Sequence, residues 1–314
     1  MKVVALVSGG KDSCYNMVKC VEHGHEIVCL ANLAPPDRSI QELDSWCFQT
    51  VGHNAISAIA QCMDLPLYQQ DLKRSSKVTS LEYCEFEEEK SEKLSEEEKL
   101  DKVANLRSVV EDEVEDLFLL LSRVKKDFPD VTGVSCGAIF SDYQRFRVEN
   151  VCGRLGLVSL TYLWRRDQSE LLDEMIQSGI CAVMIKTASM GLNPRRDCGK
   201  TLGQLQSRLE QLKVTADLNV CGEGGEYETF TIDCPIFKRR IVLDKTRVVM
   251  DSEDPFAPVG YLLIEEFHLE DKQQDEEISM ERKSKSVEQM STVGTTWSNS
   301  VRSRNDLLTQ EQLT

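Results

Sequence analysis

Three short stretches of this sequence concentrate side chains able to do chemistry. The first is Ser8-Gly9-Gly10-Lys11-Asp12-Ser13, between a short apolar run and a helical pattern. A Gly-Gly pair lets the backbone turn with its amides facing one point. The helix that follows presents unpaired N–H groups and the positive end of its dipole there. Ser8 and Ser13 add hydroxyls and Lys11 a charge, so the loop reads as an anion cradle suited to phosphate. The Gly-x-x-x-x-Gly-Lys-Ser/Thr pattern is absent, which excludes an ordinary kinase or GTPase. Asp12 fits two roles, orienting Mg²⁺ or serving as a helix-start acid.

The second stretch runs from Gly137 to Glu149, where Asp142, Tyr143 and Arg145 crowd one helical turn. Arg145 could neutralise phosphate and Tyr143 could stack or donate. A capped helix with an exposed polar start is the plainer reading. The third is Gly222 to Thr229, with Glu223, Glu226 and Glu228 on a chain made pliable by Gly224 and Gly225. These carboxylates repel one another unless a cation sits among them: Mg²⁺, ammonium or a cationic substrate. Tyr227 offers a π face that attracts quaternary ammonium. A solvated acidic turn entering a strand is the alternative.

Regular elements must hold these stretches. Lys2 to Val7 reads as a buried strand, followed by a helix from about Ser13 to Glu22 that Gly24 stops. A strand over 26–33, an amphipathic helix over 45–63 and a strand over 65–70 continue the alternation. Helices over 112–126, 141–155 and 168–177 then interleave with strands over 132–136, 157–163 and 180–186, with Ser141 a good N-cap. This is the α/β pattern of a parallel sheet with covering helices. Its strand ends share one ligand-binding edge, and the first two stretches lie on it. A helix to about Lys213 and strands over 241–249 and 259–267 suggest a smaller C-terminal α+β part. The predicted organisation is a nucleotide-binding domain over 1–187, a substrate-binding domain over 188–270 and a disordered tail over 271–314. An acidic insertion occupies about 73–110, with nine glutamates between Glu82 and Glu98.

The net charge of −16 argues against a general grip on nucleic acid. Arg145, Arg147, Arg165 and Arg166 could still form a local basic patch. No apolar run reaches the ~18 residues of a membrane span, and no signal peptide precedes the first strand. A cytoplasmic, reducing location follows as the expectation, with the 12 cysteines as core residues and bystanders. No Cys-x-x-Cys pair supports a zinc ribbon. His23 and His25 read as a helix end, and His53, in the expected helix, as a packing residue or a substrate contact.

The loop string Ser8–Ser13 resembles the signature of the PP-loop ATP pyrophosphatases. Together with ELDSWCFQTVGH at Glu42–His53, SDYQRFRVENVC at Ser141–Cys152, GKTL at Gly199–Leu202 and CGEGGEYETFTIDCP at Cys221–Pro235, the chain resembles the diphthine–ammonia ligase family from Met1 to about Lys272. The resemblance implies a Rossmann-like fold with helices on both faces of the sheet, ATP and Mg²⁺ as cofactors, ammonium as co-substrate and translation elongation factor 2 as protein partner. The carboxylate of diphthine, a modified histidine, would be adenylated with release of pyrophosphate, and ammonia would displace AMP. It implies that Ser8 to Ser13 hold ATP, and that Lys11, Asp12, Asp142 and Arg145 serve catalysis. Tyr143 and the segment Glu223, Gly224, Gly225, Glu226, Tyr227 and Glu228 would bind substrate, whose trimethylammonium group suits carboxylates and a tyrosine. Against the family pattern, Lys73-Arg74-Ser75-Ser76 and the acidic run replace a short glycine-containing turn. A tRNA-modifying PP-loop enzyme would want a basic surface and a reactive cysteine pair, neither of which is present. A non-catalytic nucleotide-binding module is the remaining alternative.

Overall fold

The computed structural model describes residues 1–43, 45–78, 80, 83 and 111–272. The tail from 273 and nearly all of the acidic insertion lie outside the described residues, as do the expectations for them. Strand β1 (Lys2–Leu6) is central because Val3, Val4 and Ala5 are apolar, extended and fully buried. It pairs in parallel with β2 (Glu26–Ala34) and with β4 (Val131–Ser135). β3 (Leu67–Asp71) lies outside β2, and β5 (Val158–Leu160) outside β4, which gives the order β3-β2-β1-β4-β5. The strand order reverses between β1 and β4, and a crevice opens at such a point.

Alternation along β1 divides the core. Val3 and Ala5 face helices α1 (Lys11–Glu22) and α2 (Ile56–Met63), while Val4 belongs with α3 (Val114–Asp127) and α4 (Asp142–Leu155). Ser141 caps α4 through a bond from the Gln144 amide, as expected. Fully buried Asn16 donates to Ser135 Oγ (2.7 Å) and the Leu160 carbonyl (2.8 Å), and so fixes α1 against the ends of β4 and β5.

A second, four-stranded sheet has the order β7-β6-β9-β8, from β6 (Cys181–Thr187), β7 (Tyr227–Asp233), β8 (Arg239–Ser252) and β9 (Val259–Asp271). β6 runs antiparallel to β7 and β9. The sequence reading had placed this strand with the first domain, up to residue 187. Its buried run Ala182-Val183-Met184-Ile185 suits either kind of sheet, so periodicity could not assign it. Helices α5 (Gln168–Gln177) and α6 (Leu202–Ala216) accompany this sheet, the latter started by a Thr201–Gln204 capping box. Val7, Ile56, Ile185 and Phe230 share one core, so the two sheets are joined by apolar packing.

The helix expected over 45–63 is present only in its second half. Ser45 Oγ accepts from the Cys47 and Phe48 amides, a capped turn that does not continue as a helix. Gly52 then adopts φ +83, with Ile185 and Phe230 pressed against the place of a side chain, before a 3₁₀ turn at His53–Ala55. The eleven described cysteines are free, nine of them buried. No described helix is long and apolar enough to cross a membrane.

Candidate active site

At the end of β1 the chain enters the Ser8–Ser13 loop. Gly9 has φ +90, and a Cβ there would lie 2.9 Å from both Ile56 and Phe230. A Cβ on Gly10 would come 2.8 Å from Gln49 Oε1. At Gly9 the positive φ and the packed Ile56 and Phe230 exclude a side chain, whereas at Gly10 the Gln49 side chain can give way. Helix α1 begins with no side-chain cap from Gly10, and the Lys11 amide is met by Thr229 Oγ1 at 3.0 Å from β7. The Thr231 amide donates to the Gly9 carbonyl at 2.8 Å. The loop is thus built by both sheets.

Lys11 turns inward and is 3% exposed. Its Nζ donates to Asp12 Oδ2 (2.8 Å) and to the Cys221 carbonyl, and lies 5.3 Å from the Tyr227 ring centroid. Burial is the largest single influence and lowers its pKa; the Asp12 carboxylate, Tyr227 and Cys221 together outweigh this and hold it above the ordinary value. Asp12 is pushed the other way by burial, with its carboxyl raised despite Lys11. Asp12 Oδ1 is buried without a hydrogen-bond partner. Gly137, after β4, packs on this helix start: a Cβ there would sit 2.6 Å from Asp12 C and Ser13 N.

These elements enclose a cavity of about 390 Å³, within the size range of small-ligand sites. Ser8, Lys11, Asp12 and Ser13 line it, facing Glu223, Gly225, Tyr227, Glu228 and Thr229. The first and third stretches therefore meet. The second contributes Ser141, Gln144 and Val148, whereas Asp142, Tyr143 and Arg145 are not among its lining residues. The Tyr143 ring lies under the Arg147 guanidinium, 3.2 Å from its carbon, and its hydroxyl donates to the Val78 carbonyl at 3.1 Å. Arg145 pairs with Glu149 at 2.6 Å and covers the Trp164 ring. Asp142 is 3.9 Å from Arg165.

The acidic stretch divides into three separate roles. Glu223 accepts from the Phe140 amide at 2.9 Å, linking the acidic loop to the turn after β4. Burial, with the Asp12 charge adding to it, pushes its carboxyl up to about 7. Glu226 staples its own loop, accepting from the Asn219 and Gly224 amides. Glu228 Oε2 is buried with no partner, and burial pushes its carboxyl up to about 7 as well. Tyr227 is buried, its hydroxyl donates to the Val220 carbonyl, and Lys11 occupies one ring face. The Cys221 thiol is raised to about 12 by burial, the opposite of an activated nucleophile.

Sequence reasoning missed several residues of the cavity wall. Gln49 joins Ser8 to the Thr229 carbonyl, Asn32 donates to the Val7 carbonyl at 2.8 Å, and Glu42 binds Lys186. Glu42 and Gln49 fall inside the string ELDSWCFQTVGH, so the family resemblance held a signal that a helical reading of 45–63 obscured. His53, from the same string, is buried against the Thr50 and Arg38 carbonyls and does not line the cavity. The basic patch does not form: Arg147 is fully buried, and Arg145 and Arg166 are paired with Glu149 and Glu174.

Comparison with known proteins follows the same division of the chain. Residues 1–96 and 98–159 match the diphthamide synthase N-terminal domain, and residues 167–268 match the diphthamide synthase C-terminal domain. The diphthine–ammonia ligase of Danio rerio is 50% identical over 273 residues, which cover 87% of this chain and 98% of the relative. That of Homo sapiens is 50% identical over 274 residues, 87% of this chain and 94% of the relative. The Saccharomyces cerevisiae protein of the same name is 41% identical over 254 residues, 76% of this chain and 34% of a much longer relative. The chain belongs to the diphthamide synthase family and is a ligase.

Proposed function

We propose that this ligase amidates diphthine on translation elongation factor 2, forming diphthamide through an acyl-adenylate with release of AMP and pyrophosphate. The observation that carries this reading is the loop Ser8–Ser13, closed by β7, with Lys11 buried at the floor of a ligand-sized cavity. Backbone amides and a helix start in a partly enclosed site stabilise charge that develops on a leaving diphosphate. Ser8, Gly9, Gly10, Lys11 and Ser13 would hold the nucleotide phosphates. The trimethylammonium group of diphthine would sit against the acidic wall contributed by Glu223 and its neighbours.

Magnesium fits this site in one way. It is commonly held by one or two carboxylates plus substrate phosphates, and Asp12 Oδ1 is a buried, unpartnered oxygen on the cavity wall. When bound there, the ion would neutralise phosphate charge. Asp142, Tyr143 and Arg145 are proposed to act where the protein substrate enters, since α4 also contributes Ser141 and Gln144 to the wall. The cytoplasm, where translation proceeds, is the compartment this reading requires.

The direct test incubates the protein with diphthine-bearing elongation factor, ATP, Mg²⁺ and ammonium. A mass decrease of about one unit on the factor, with AMP formed in equal amount, is the expected result. ADP in place of AMP would overturn the reading.

A further inference from the structure

Glu228 stands at the start of β7, opposite Lys186 of β6 in the antiparallel register. It lines the same cavity as the phosphate loop, yet its Oε2 is buried and has no hydrogen-bond partner. Lys186 is bound by Glu42. Glu42 lines this cavity and also a second opening, bounded by Gln41, Asp251 and Tyr261. Lys186 serves two carboxylates, and Lys11, the next cation to act on Glu228, is already paired with Asp12, so the wall keeps a net negative charge, and Glu42 and Asp251 make the second opening acidic.

A buried carboxylate oxygen of this kind calls for an N–H donor or a small cation. A trimethylammonium group has no N–H to give it. Ammonium has four and no acceptor, so it satisfies the oxygen and needs nothing else from it.

We propose that Glu228 is the ammonium-binding catalytic residue, receiving the ion past Glu42 and taking a proton from it. The proposal rests on the adenylation reading and supplies its second half. One proton of NH₄⁺ passes to the Glu228 carboxylate, which frees the nitrogen lone pair. That pair forms the C–N bond to the acyl carbon, and the C–O bond to AMP breaks with its electrons on the phosphate oxygen. A second nitrogen proton leaves with AMP, and the neutral amide remains. A carboxyl whose pKa lies near 7, raised by burial and by Glu42 against the pull of Lys186, shares a proton efficiently at neutral pH.

The test separates the two halves of the reaction in the full-length protein. Substrate-dependent ATP–pyrophosphate exchange reports adenylation. Amide formation with ammonium is then compared with hydroxamate formation from hydroxylamine, which is mostly unprotonated at neutral pH and needs no base. In Glu228→Gln, the ratio of hydroxamate to amide should rise about 100-fold, with a melting temperature within about 4 °C of the parent reporting a folded chain. Glu42→Gln should raise the KM for ammonium and leave that for ATP within about threefold. Equal loss with both nucleophiles in Glu228→Gln, or ammonium kinetics within about threefold of the parent, would overturn the assignment. Absence of exchange in the parent protein would instead remove the adenylation reading beneath it.

Discussion

At the scale of single residues, the site is defined by charges held where water is scarce. Lys11 is buried and its partner Asp12 is partly exposed, their side chains at 3% and 25% of full accessibility. Lys11→Met leaves the Asp12 carboxylate without its cation. Breaking a fully buried pair costs about 3–5 kcal/mol, and the residual exposure of Asp12 reduces this to about 1–3 kcal/mol. The expected outcome is a lower midpoint in chemical denaturation, with ATP affinity reduced at least about tenfold in calorimetry. Glu223 makes a prediction of different sign. Its carboxyl is raised to about 7 when folded, so folding favours its protonated form. Its contribution is complete below the unfolded carboxylate range and is lost as pH rises through about 7. Glu223→Gln, which keeps an oxygen for the Phe140 amide, should therefore raise the melting temperature more at about pH 8 than at about pH 5. Equal shifts at both values would contradict the burial argument.

Between elements, the decisive contacts are backbone against backbone. The turn after β4 rests on the first turn of α1 at Gly137, and the atoms a methyl would meet belong to the main chain. No rotamer change can relieve that contact. Gly137→Ala should part the two elements, costing about 1–3 kcal/mol and loosening the Ser8–Ser13 loop. ATP binding should weaken even though residue 137 brings no side chain to the nucleotide. The existence of most elements was legible in the sequence, from the buried run of β1 to the Ser141 cap of α4, because those signals are local. The stretch 45–52 was misread because the cause of its irregularity is remote: Ile185 and Phe230 crowd Gly52 from the second sheet. Residue types pointed to Lys11 and the glutamates, and the fold brings Lys11, Glu223 and Glu228 to one cavity. They could not foretell that Glu226 would be spent on its own loop while Glu228 stayed unpartnered.

Over the whole molecule, the acidic insertion interrupts the fold between two anchored flanks. Asp112 accepts from the Lys77 and Val78 amides, both at 2.8 Å, and Asp116 accepts from those of Lys73 and Arg74. Arg147 reaches the Val78 and Ser80 carbonyls from α4. With the flanks tied in this way, replacing residues 84–110 by a short Gly/Ser linker should leave the melting temperature within about 4 °C. AMP production should persist, as measured by the coupled assay on the parent and the shortened chain.

The hydroxyl of Thr229 on the Lys11 amide joins positions 218 apart in the chain. During synthesis, the Ser8–Ser13 turn leaves the ribosome and then waits for the strand 218 positions further on before its remaining wall arrives. A fragment released early could assemble much of the parallel sheet and still carry an open, uncommitted loop. Completion of the proposed nucleotide site is in this sense a late milestone of biogenesis, and it certifies that the distant half has docked.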